Sequence, residues 1–432
     1  MSKPIERSEL HDAACPLAAV DRRLEDVHRH WHSAEQAYFE PTAFRVAIQT
    51  SIQTLRTVTF ILQSNKHLIP DFDAWYGPWQ EKLKADALMR WMVDARNKIE
   101  KQGDLEAHSF VRAEIVASYL NNGPVINVPA KLFEGPRLIL KSIPKKSALG
   151  EHVVKFGTLR IQRRWVENSL PDYELLDAVA IAYGRIAEVV HDAHKAIGRD
   201  PPTTINAETG EQYAPGRAGR MPCMIGHGDD RTTNISLSDG QRFEIASQSL
   251  KFDKKKGRAI AKKYDLRPED IWDTTGDQET VLASLFRTAR KLTEKDGKHV
   301  TMAVLLRGIT PVRLAELEFP DQGAKYVVMR KIANDVAKLA ADGVVVIGEA
   351  WRATANAGKP YMRAVDVPDK IEVLHAVLVR RDGDPVELFA DFQRQGDRVK
   401  LSDTETVRGG QHYMFAPIYE AWGRALPDDW KN

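Results

Sequence analysis

The stretch that decides the fold class is residues 44–63, FRVAIQTSIQTLRTVTFILQ. Its apolar side chains recur every three or four residues, which places them on one face of an α-helix. The residues on that face are Phe44, Ile48, Ile52, Leu55, Val58 and Leu62. Because such a helix buries its apolar face against neighbouring elements, the stretch predicts a helical core in the N-terminal part of the chain.

Two similar patterns predict helices over about residues 81–101 and 105–120. Before them, residues 70–78 contain two prolines, one glycine and two aspartates, a composition typical of a loop. The loop also carries the aromatic residues Phe72, Trp75, Tyr76 and Trp79. We expect these side chains to pack over the helical core. The patterns together predict a helical bundle over residues 21–122, preceded by a disordered leader at residues 1–20.

The middle region, residues 123–270, combines β-like and helical patterns. Alternating apolar and β-branched residues predict strands in the segments 125–128, 137–141 and 152–165. A long helix is predicted over about residues 173–197, and a long loop rich in glycine and proline follows over residues 198–222. Residues 234–245 are predicted to form a hairpin that turns at Asp239-Gly240.

Residues 271–432 are predicted to form a C-terminal mixed α/β sheet domain. Residues 344–350 are almost entirely apolar, which is typical of a central strand covered on both faces. Helices are predicted over about 281–292 and 321–342, and further strands over 299–306, 312–319, 373–380, 387–394 and 399–402. The expected fold class is therefore α+β multidomain, with an N-terminal helical bundle, a β-containing middle region and this C-terminal domain.

Composition places the chain among ordinary globular proteins. Of its 432 residues, 43% are hydrophobic and 28% are charged, and the formal net charge is +2. No run approaches the roughly 18 apolar residues of a membrane span, and residues 1–20 lack the apolar core of a secretory signal. The two cysteines, Cys15 and Cys223, fit neither a disulfide framework nor a zinc-finger spacing. We therefore expect a cytoplasmic protein without membrane contact, cofactor or metal.

Several common enzyme classes are disfavoured by the motifs that the sequence lacks. It contains no phosphate-binding loop of the NTPase type, no dinucleotide-binding glycine fingerprint and no serine-hydrolase nucleophile elbow. The C-terminal strands also lack the Glu-x-Lys pattern of a common metal-dependent nuclease core.

Residues 91–104, WMVDARNKIEKQGD, place Arg96 and Asn97 near the end of the second predicted helix. An arginine can hold a phosphate through two hydrogen bonds at once. An Arg–Asn pair in a bundle of this size resembles the HEPN family. That resemblance implies a small, dimerising helical bundle. In many members such a bundle is a metal-independent ribonuclease, often of a host-defence or toxin system.

The catalytic pair that the resemblance implies is Arg96 and Asn97, followed a few residues later by a histidine that moves a proton. In this chain Lys101 stands where the histidine is expected, and His108 is the next histidine along the chain. If the bundle cuts RNA, Lys101 or His108 must take that role. The alternative is structural, with Arg96 forming ion pairs at the helix end with Asp94, Glu100 or Asp104.

The basic stretch 251–267, KFDKKKGRAIAKKYDLR, holds eight Lys or Arg residues against two Asp, and five more Lys or Arg residues follow within residues 287–298. Dense positive charge neutralises phosphates and releases counterions. The stretch therefore predicts a partner that is RNA or another nucleic acid, although a merely solvated helix face is the alternative. The candidate binding residues are Lys251, Lys254, Lys255, Lys256, Arg258, Lys262 and Lys263.

Other candidates combine histidines and carboxylates. In one glycine-flanked loop, His227, Asp229 and Asp230 could hold a metal or catalyse acid–base chemistry, or they could simply form a turn. Glu349 ends the predicted central strand, where ligands gather in α/β folds. The alternatives for Glu349 are structural: it caps the sheet or forms an ion pair with Arg352.

Two pairs of histidines stand at helical spacing. His28 and His32 are four residues apart, with Glu25 nearby, and His191 and His194 are three apart. This spacing puts both imidazoles of a pair on one helix face, where they could bind a metal. Because complete metal sites are rare, we interpret both pairs as solvent-exposed and predict no metal site.

Three functions fit these observations. The favoured one is a nucleic-acid-associated protein that uses a HEPN-like module, dimerises through it and places Arg96 and Asn97 at a phosphate. The first alternative is a non-catalytic interaction or scaffold protein that binds a partner through the aromatic segment 72–79. The second alternative is an enzyme that acts on a small molecule near Glu349 or His227.

Overall fold

The structure is a computed structural model, and its elements confirm the α+β multidomain class, with helices first and a strand-rich C-terminal part. It describes residues 15–105, 107–120, 126–127, 133–143, 149–199, 219–228, 231–243, 254–267, 275–354, 364–395, 398–410 and 412–430. Unit 1 consists of Met1–Glu114, Asn127–Lys145 and Leu159–Asn234, and unit 2 of Ile115–Ile126, Lys146–Thr158 and Ile235–Asn432. The domain limits predicted at residues 122 and 270 stay predictions.

The helices account for much of the described chain. In chain order they are α1 (Ala18–Gln36), α2 (Pro41–Ser64), α3 (Phe72–Ala85), α4 (Ala87–Gln102), α5 (Pro136–Lys141), α6 (Glu151–Phe156), α7 (Leu175–Ala196), α8 (Lys254–Lys263), α9 (Gln278–Asp296), α10 (Gln322–Leu339) and α11 (Ala416–Ala421). Within the described residues, none of them combines the length and the apolar character that crossing a membrane requires.

The strands form two sheets. In chain order they are β1 (Ala107–Val116), β2 (Ile126–Asn127), β3 (Thr158–Glu167), β4 (Arg231–Ser236), β5 (Arg242–Phe243), β6 (Met302–Arg307), β7 (Thr310–Glu316), β8 (Gly343–Arg352), β9 (Ile371–Arg380), β10 (Val386–Gln395), β11 (Arg398–Leu401) and β12 (Glu405–Arg408). The first sheet has the order β2-β1-β3-β4-β5. The second has the order β11-β10-β9-β8-β6-β7, and β12 also pairs with β10. The neighbouring strands of the second sheet run antiparallel.

In unit 1, α7 is the central helix. Fifteen of its 22 residues are buried, as expected for a helix that is surrounded by other elements. The indole Nε1 of Trp31 on α1 donates a hydrogen bond of 2.8 Å to the carbonyl of Leu176 on α7. On α2, all the apolar residues that predicted the helix are buried, and Phe44 stacks on Trp165 of β3 at 4.6 Å between ring centroids. The predicted helical core is therefore confirmed.

The predicted third helix, over residues 105–120, is wrong, because these residues contain β1. Val111 and Ile115 are four residues apart, a spacing that fits one helical turn and also two repeats of a strand. Burial distinguishes the two: Ser109, Ala113 and Ile115 are buried, whereas Phe110 and Arg112 are exposed. This alternation is that of a strand with one covered face.

The predicted loop at residues 70–78 is also wrong, because α3 begins at Phe72 and continues through Pro78. Phe72 and the tyrosine one turn later are buried. The indoles of Trp75 and Trp79 both donate to Oδ2 of Asp192 on α7, at 2.9 and 2.8 Å. These contacts confirm the expected packing of the aromatic side chains and outweigh the helix-breaking tendency of proline.

Helix caps move other predicted boundaries. α4 starts after Asp86, whose carboxylate accepts hydrogen bonds from the amides of Leu88 and Met89, so the helix predicted over 81–101 is divided. The predicted strand at 137–141 is α5, which begins with Pro136 at its first position, where proline is favoured. The predicted strand at 152–165 is α6 followed by β3. Short apolar runs do not distinguish strand from helix by periodicity alone.

Longer patterns in the middle region are confirmed. The helix predicted over 173–197 is α7, and the predicted hairpin consists of β4 and β5. Its turn contains Gly240 with φ +73°, a left-handed conformation that glycine adopts readily. Most of the predicted loop at 198–222 lies outside the described residues.

In unit 2, β8 is the central strand that the sequence predicts. Val344 and Val346 belong to one apolar core, which α10 and α11 cover. Val345 and Ile347 belong to a second core on the other face, which α9 covers. The strands predicted around β8 are likewise confirmed as β6, β7, β9, β10 and β11.

The N-terminus of α7 carries a buried carboxyl group. Glu174 is 1% exposed, and its Oε2 accepts hydrogen bonds from the amides of Leu176 and Asp177, at 2.7 and 3.1 Å. Burial raises the pKa of Glu174 to about 8, because the charged form is poorly solvated there. The cap of α7 is thus a neutral carboxyl group at neutral pH.

Glu174→Gln keeps the capping carbonyl oxygen and removes the titrating group. An unfolded glutamate ionises near pH 4.3, whereas folded Glu174 holds its proton up to about pH 8. The native protein should therefore lose stability relative to the variant as the pH rises from about 4 to 8. Urea unfolding of both proteins at several pH values in this window measures the difference. An identical pH dependence in the two proteins would contradict the neutral cap.

Candidate metal centre

One face of α1 carries a stripe of titratable side chains. They are spaced by four, three, four and three residues, as neighbours on a helix face are: Asp21, Glu25, His28, His32 and Glu35. The adjoining face is apolar and buried, and includes Val27 and Trp31. Because this apolar face is fixed against the rest of unit 1, the polar stripe has a defined direction.

Three possible metal ligands meet near the C-terminal half of this stripe. His28 Nε2 lies 3.0 Å from Cys223 Sγ and 3.1 Å from His32 Nε2. The three ligand atoms all lie within 4.8 Å of one another. Ligand atoms around one tetrahedral zinc ion are about 3.3–3.6 Å apart, given bonds of about 2.0–2.3 Å. Small side-chain rotations would therefore accommodate a metal ion between them.

Carboxylates orient both imidazoles. His32 Nδ1 lies 2.9 Å from Oε2 of Glu35, and His28 Nδ1 lies 3.7 Å from Oε2 of Glu25. A carboxylate at Nδ1 favours the N–H on that nitrogen and leaves the lone pair of Nε2 directed to the centre. Glu35 is itself held by Arg231, whose Nη2 lies 2.9 Å from Oε1.

Cys223 is positioned by a well-anchored turn, Pro222–Met224. Met224 is fully buried beside it. Arg220 Nη1 lies 2.9 Å from Oδ1 of Asp177 on α7, which ties the start of this segment to unit 1. His227 Nε2 donates a 3.0 Å hydrogen bond to the carbonyl of Cys223. These contacts place the thiol beside α1 although its side chain remains exposed.

Hydrogen bonds in the centre favour a thiolate beside protonated imidazoles. Burial raises the pKa of the Cys223 thiol, but hydrogen bonds with His28 and His32 outweigh burial and lower it to about 6. Hydrogen bonds to Cys223 and Glu35 raise the pKa of His32 to about 9. Burial opposes the charged form of His28, yet its bonds to Cys223 and Glu25 raise its pKa overall. A metal ion must therefore displace the protons of both imidazoles, so we expect the affinity for a metal ion to rise with pH.

The donor set indicates which metal fits. Two imidazole nitrogens and one thiolate suit zinc and related transition metals rather than magnesium or calcium. Among the described residues the cluster contains three ligands, one fewer than the four that structural zinc sites use. Because Cys223 is exposed, the fourth position can face solvent and take water or a substrate.

Two of the three ligands could be recognised as a pair in the sequence. His28 and His32 stood out at helical spacing, but Cys223 lies 195 residues from His28 along the chain, and nothing in the sequence links them. The interpretation of both histidine pairs as solvent-exposed is wrong, because His28 is 8% exposed and His191 and His194, which face the interior on α7, are 5% and 4% exposed. The spacing of three and four residues between the titratable residues of α1 was the signal that could have indicated a polar helix face with a candidate site.

The HEPN-like residues have structural partners. Arg96 bonds Oδ1 of Asn97 at 2.9 Å and pairs with Glu100 at 3.0 Å, so the expected ion pair at the helix end is confirmed. Lys101 lies in the exposed last turn of α4, and His108 lies on β1 with its ring edge against Phe110. An RNA-cleaving role for these residues stays a prediction.

The basic stretch is partly described. Lys251 lies outside the described residues, and of Lys254, Lys255 and Lys256 only the helical backbone of α8 is described. The side chains of Arg258, Lys262 and Lys263 are exposed.

α9 contributes two further lysines to this basic surface. Lys291 Nζ donates to the carbonyl of Asp265 at 2.9 Å, and Lys295 donates to the carbonyl of Lys263. Tyr264 lies between Lys263 and Asp265 in the chain, and its hydroxyl donates a 2.5 Å hydrogen bond to Asp296.

Of the remaining candidates, His227 supports the metal centre, and the others lie elsewhere or outside the described residues. His227 orients the Cys223 carbonyl, whereas Asp229 and Asp230 lie outside the described residues. Oε1 of Glu349 accepts a 2.6 Å hydrogen bond from the amide of His299, and Glu349 lines a cavity of about 460 Å³ in unit 2. The alternative in which Glu349 pairs with Arg352 is wrong, because Arg352 pairs with Asp391 and Glu405.

Comparison with known proteins identifies a family and a relative that match most of the chain. The family model described as "Bacteriophage lambda protein ea47" matches residues 8–432. Protein ea47 of Escherichia phage lambda is 30% identical over 363 residues, which cover 82% of this chain and 84% of that protein. No solved structure matches.

Proposed function

The chain belongs to the family of bacteriophage lambda protein ea47, and we propose that it functions through a transition-metal ion, Zn²⁺, bound by His28, His32 and Cys223. The observation that carries this proposal is the convergence of two Nε2 atoms and one Sγ atom on a single point. Each imidazole also has a carboxylate at its other nitrogen, the usual support of metal-binding histidines.

The three-ligand set supports a chemical rather than a purely structural role for the ion. Structural zinc sites are closed by four protein ligands, whereas catalytic sites keep one position for water or substrate. A zinc ion with an open position polarises a bound group and lowers the pKa of bound water towards about 7. The reaction class that this arrangement favours is hydrolysis at a polarised carbonyl or phosphoryl group.

Metal analysis of the purified full-length protein tests the site. We expect about one zinc ion per chain and its loss in His28→Ala, His32→Ala and Cys223→Ser. His30→Ala is the matched control, because His30 lies on the same helix outside the ligand cluster. Inductively coupled plasma mass spectrometry gives the stoichiometry, and circular dichroism shows that each variant is folded. Zinc content that is equal in the ligand variants and the control would refute the site.

Glu35→Gln tests the support of His32. Loss of the carboxylate weakens the preference for the metal-binding tautomer, and such changes typically reduce metal affinity by about 10–100-fold. Competition with a chromophoric zinc chelator measures the affinity in the native protein and in the variant. Equal affinities would show that Glu35 does not support the metal ligand, without affecting the assignment of the three ligands.

We also propose that unit 2 binds nucleic acid through a basic surface formed by α8 and α9. Arg258, Lys262 and Lys263 of α8 are exposed. Lys295 of α9 contacts Lys263, the last residue of α8, and Lys291 contacts Asp265 just after it. Clustered lysines of this kind neutralise several phosphates without reading bases.

The double variant Lys262→Glu/Lys263→Glu tests this surface. Removing phosphate contacts should weaken RNA binding and reduce the slope of log affinity against log salt by roughly 1–2. Lys338→Glu/Lys400→Glu changes the net charge equally at exposed positions elsewhere in unit 2 and should affect binding less. Fluorescence anisotropy with single-stranded RNA at several salt concentrations measures both. Equal losses in the two variants would mean that binding follows net charge rather than this surface.

A further inference from the structure

A second cluster of reactive side chains lies at the other end of the polar stripe on α1. It combines Cys15, just before α1, with Asp21 of α1 and His194 in the last turn of α7. Cys15 Sγ lies 3.8 Å from His194 Nδ1, and His194 Nε2 lies 2.9 Å from Oδ1 of Asp21. None of the three is a ligand of the centre formed by His28, His32 and Cys223.

We propose that Cys15 is a nucleophilic thiol, with His194 as its general base and Asp21 as the group that positions the imidazole. The carboxylate of Asp21 accepts only, so the Nε2 that faces it must carry the proton. Nδ1 is then the nitrogen with a free lone pair, and it faces the sulfur. A thiol, an imidazole and a carboxylate in this order form the arrangement that activates a cysteine for covalent catalysis.

The direction of the contacts argues against a second metal site here. Cys15 and Asp21 contact different nitrogens of the same imidazole, so one ion cannot lie in line with both contacts. At the first centre, by contrast, His28 Nε2 contacts both the Cys223 sulfur and His32 Nε2, and the three ligand atoms lie within 4.8 Å of one another. The Cys15 cluster is therefore ordered as a thiol, a base that takes its proton and a carboxylate that positions the base.

Burial also fits a nucleophile and its base. His194 is 4% exposed, which shields the imidazole from water and keeps its orientation. Cys15 is partly exposed, so an electrophile in solution can reach the sulfur. A free cysteine that served only packing would be expected in the interior.

The substrate class that this cluster fits is an electrophilic acyl group, such as a thioester or an activated ester. The Cys15 sulfur attacks the carbonyl carbon while its proton moves to His194 Nδ1. Collapse of the tetrahedral intermediate breaks the bond to the leaving group, which takes the proton from Nδ1 and leaves a thioester on Cys15. Water then attacks this thioester with His194 again as base, which releases the acid and restores the thiol.

Alkylation of the full-length protein by iodoacetamide tests the activation of Cys15. The chain has two cysteines, and peptide mass spectrometry follows each separately, so Cys223 serves as an internal reference. We expect Cys15 to react at least about tenfold more slowly in His194→Gln and more slowly in Asp21→Asn. Asp26→Asn, another aspartate of α1, is the matched control and should leave the rate unchanged.

Asp21→Asn keeps the His194 imidazole and therefore tests how Asp21 positions it, even if the loss of His194 disturbs the fold. A Cys15 rate within twofold of the native rate in both variants would overturn the proposal. p-Nitrophenyl acetate provides a second measurement, because acyl transfer adds one acetyl group to the Cys15 peptide. Acetylation of the native protein that is strongly reduced in both variants supports acyl chemistry. Acetylation that is absent from native Cys15, or equal in all proteins, would exclude it.

Discussion

The docking of α1 on α7 is the interaction on which both candidate sites depend. Trp31 is fully buried, and its indole donates to the Leu176 carbonyl at 2.8 Å. Because helical side chains repeat every 3.6 residues, fixing this apolar face also fixes the direction of the polar stripe beside it. The stripe meets His194 of α7 near its start and Cys223 near its end. One helix pair thus assembles two chemically different clusters in unit 1.

Around the candidate metal centre, each side chain is held in place by the next one outward. His32 is oriented by Glu35, and Glu35 is held in turn by Arg231. Arg231 also lies over the ring of Tyr38, which is buried in the core. A chain of this kind restricts each side chain before any ligand binds, and such preorganisation lowers the entropic cost of binding.

In unit 2, packing of the apolar face of α9 on the sheet leaves its lysines on the opposite side. α9 is amphipathic, and Val281, Leu282 and Phe286 pack into the apolar core that covers one face of the sheet. The lysines of its second half consequently point away from that core and contact the C-terminal end of α8 and the residue Asp265 beyond it. The same helix therefore stabilises the sheet and contributes to the basic surface.

The sequence by itself determined the elements whose patterns are long. α2, α7, α9 and α10 repeat over several turns, and β8 is a continuous apolar run, so period and length were enough to predict them. Shorter or mixed signals failed: the four-residue spacing in β1 fits helix and strand equally, and the proline of α3 suggested a loop. In those two cases burial and the indole bonds to Asp192 decided the outcome.

The candidate sites depended even more on tertiary structure. The pair His28 and His32 was visible because helical spacing is local, but its partner Cys223 is 195 residues from His28, and Cys15 is 179 residues from His194. A sequence shows which side chains share a helix face, because that follows from the backbone repeat. Only the packing of distant elements decides which faces meet. In this protein it places each of the two cysteines in a different cluster of titratable side chains.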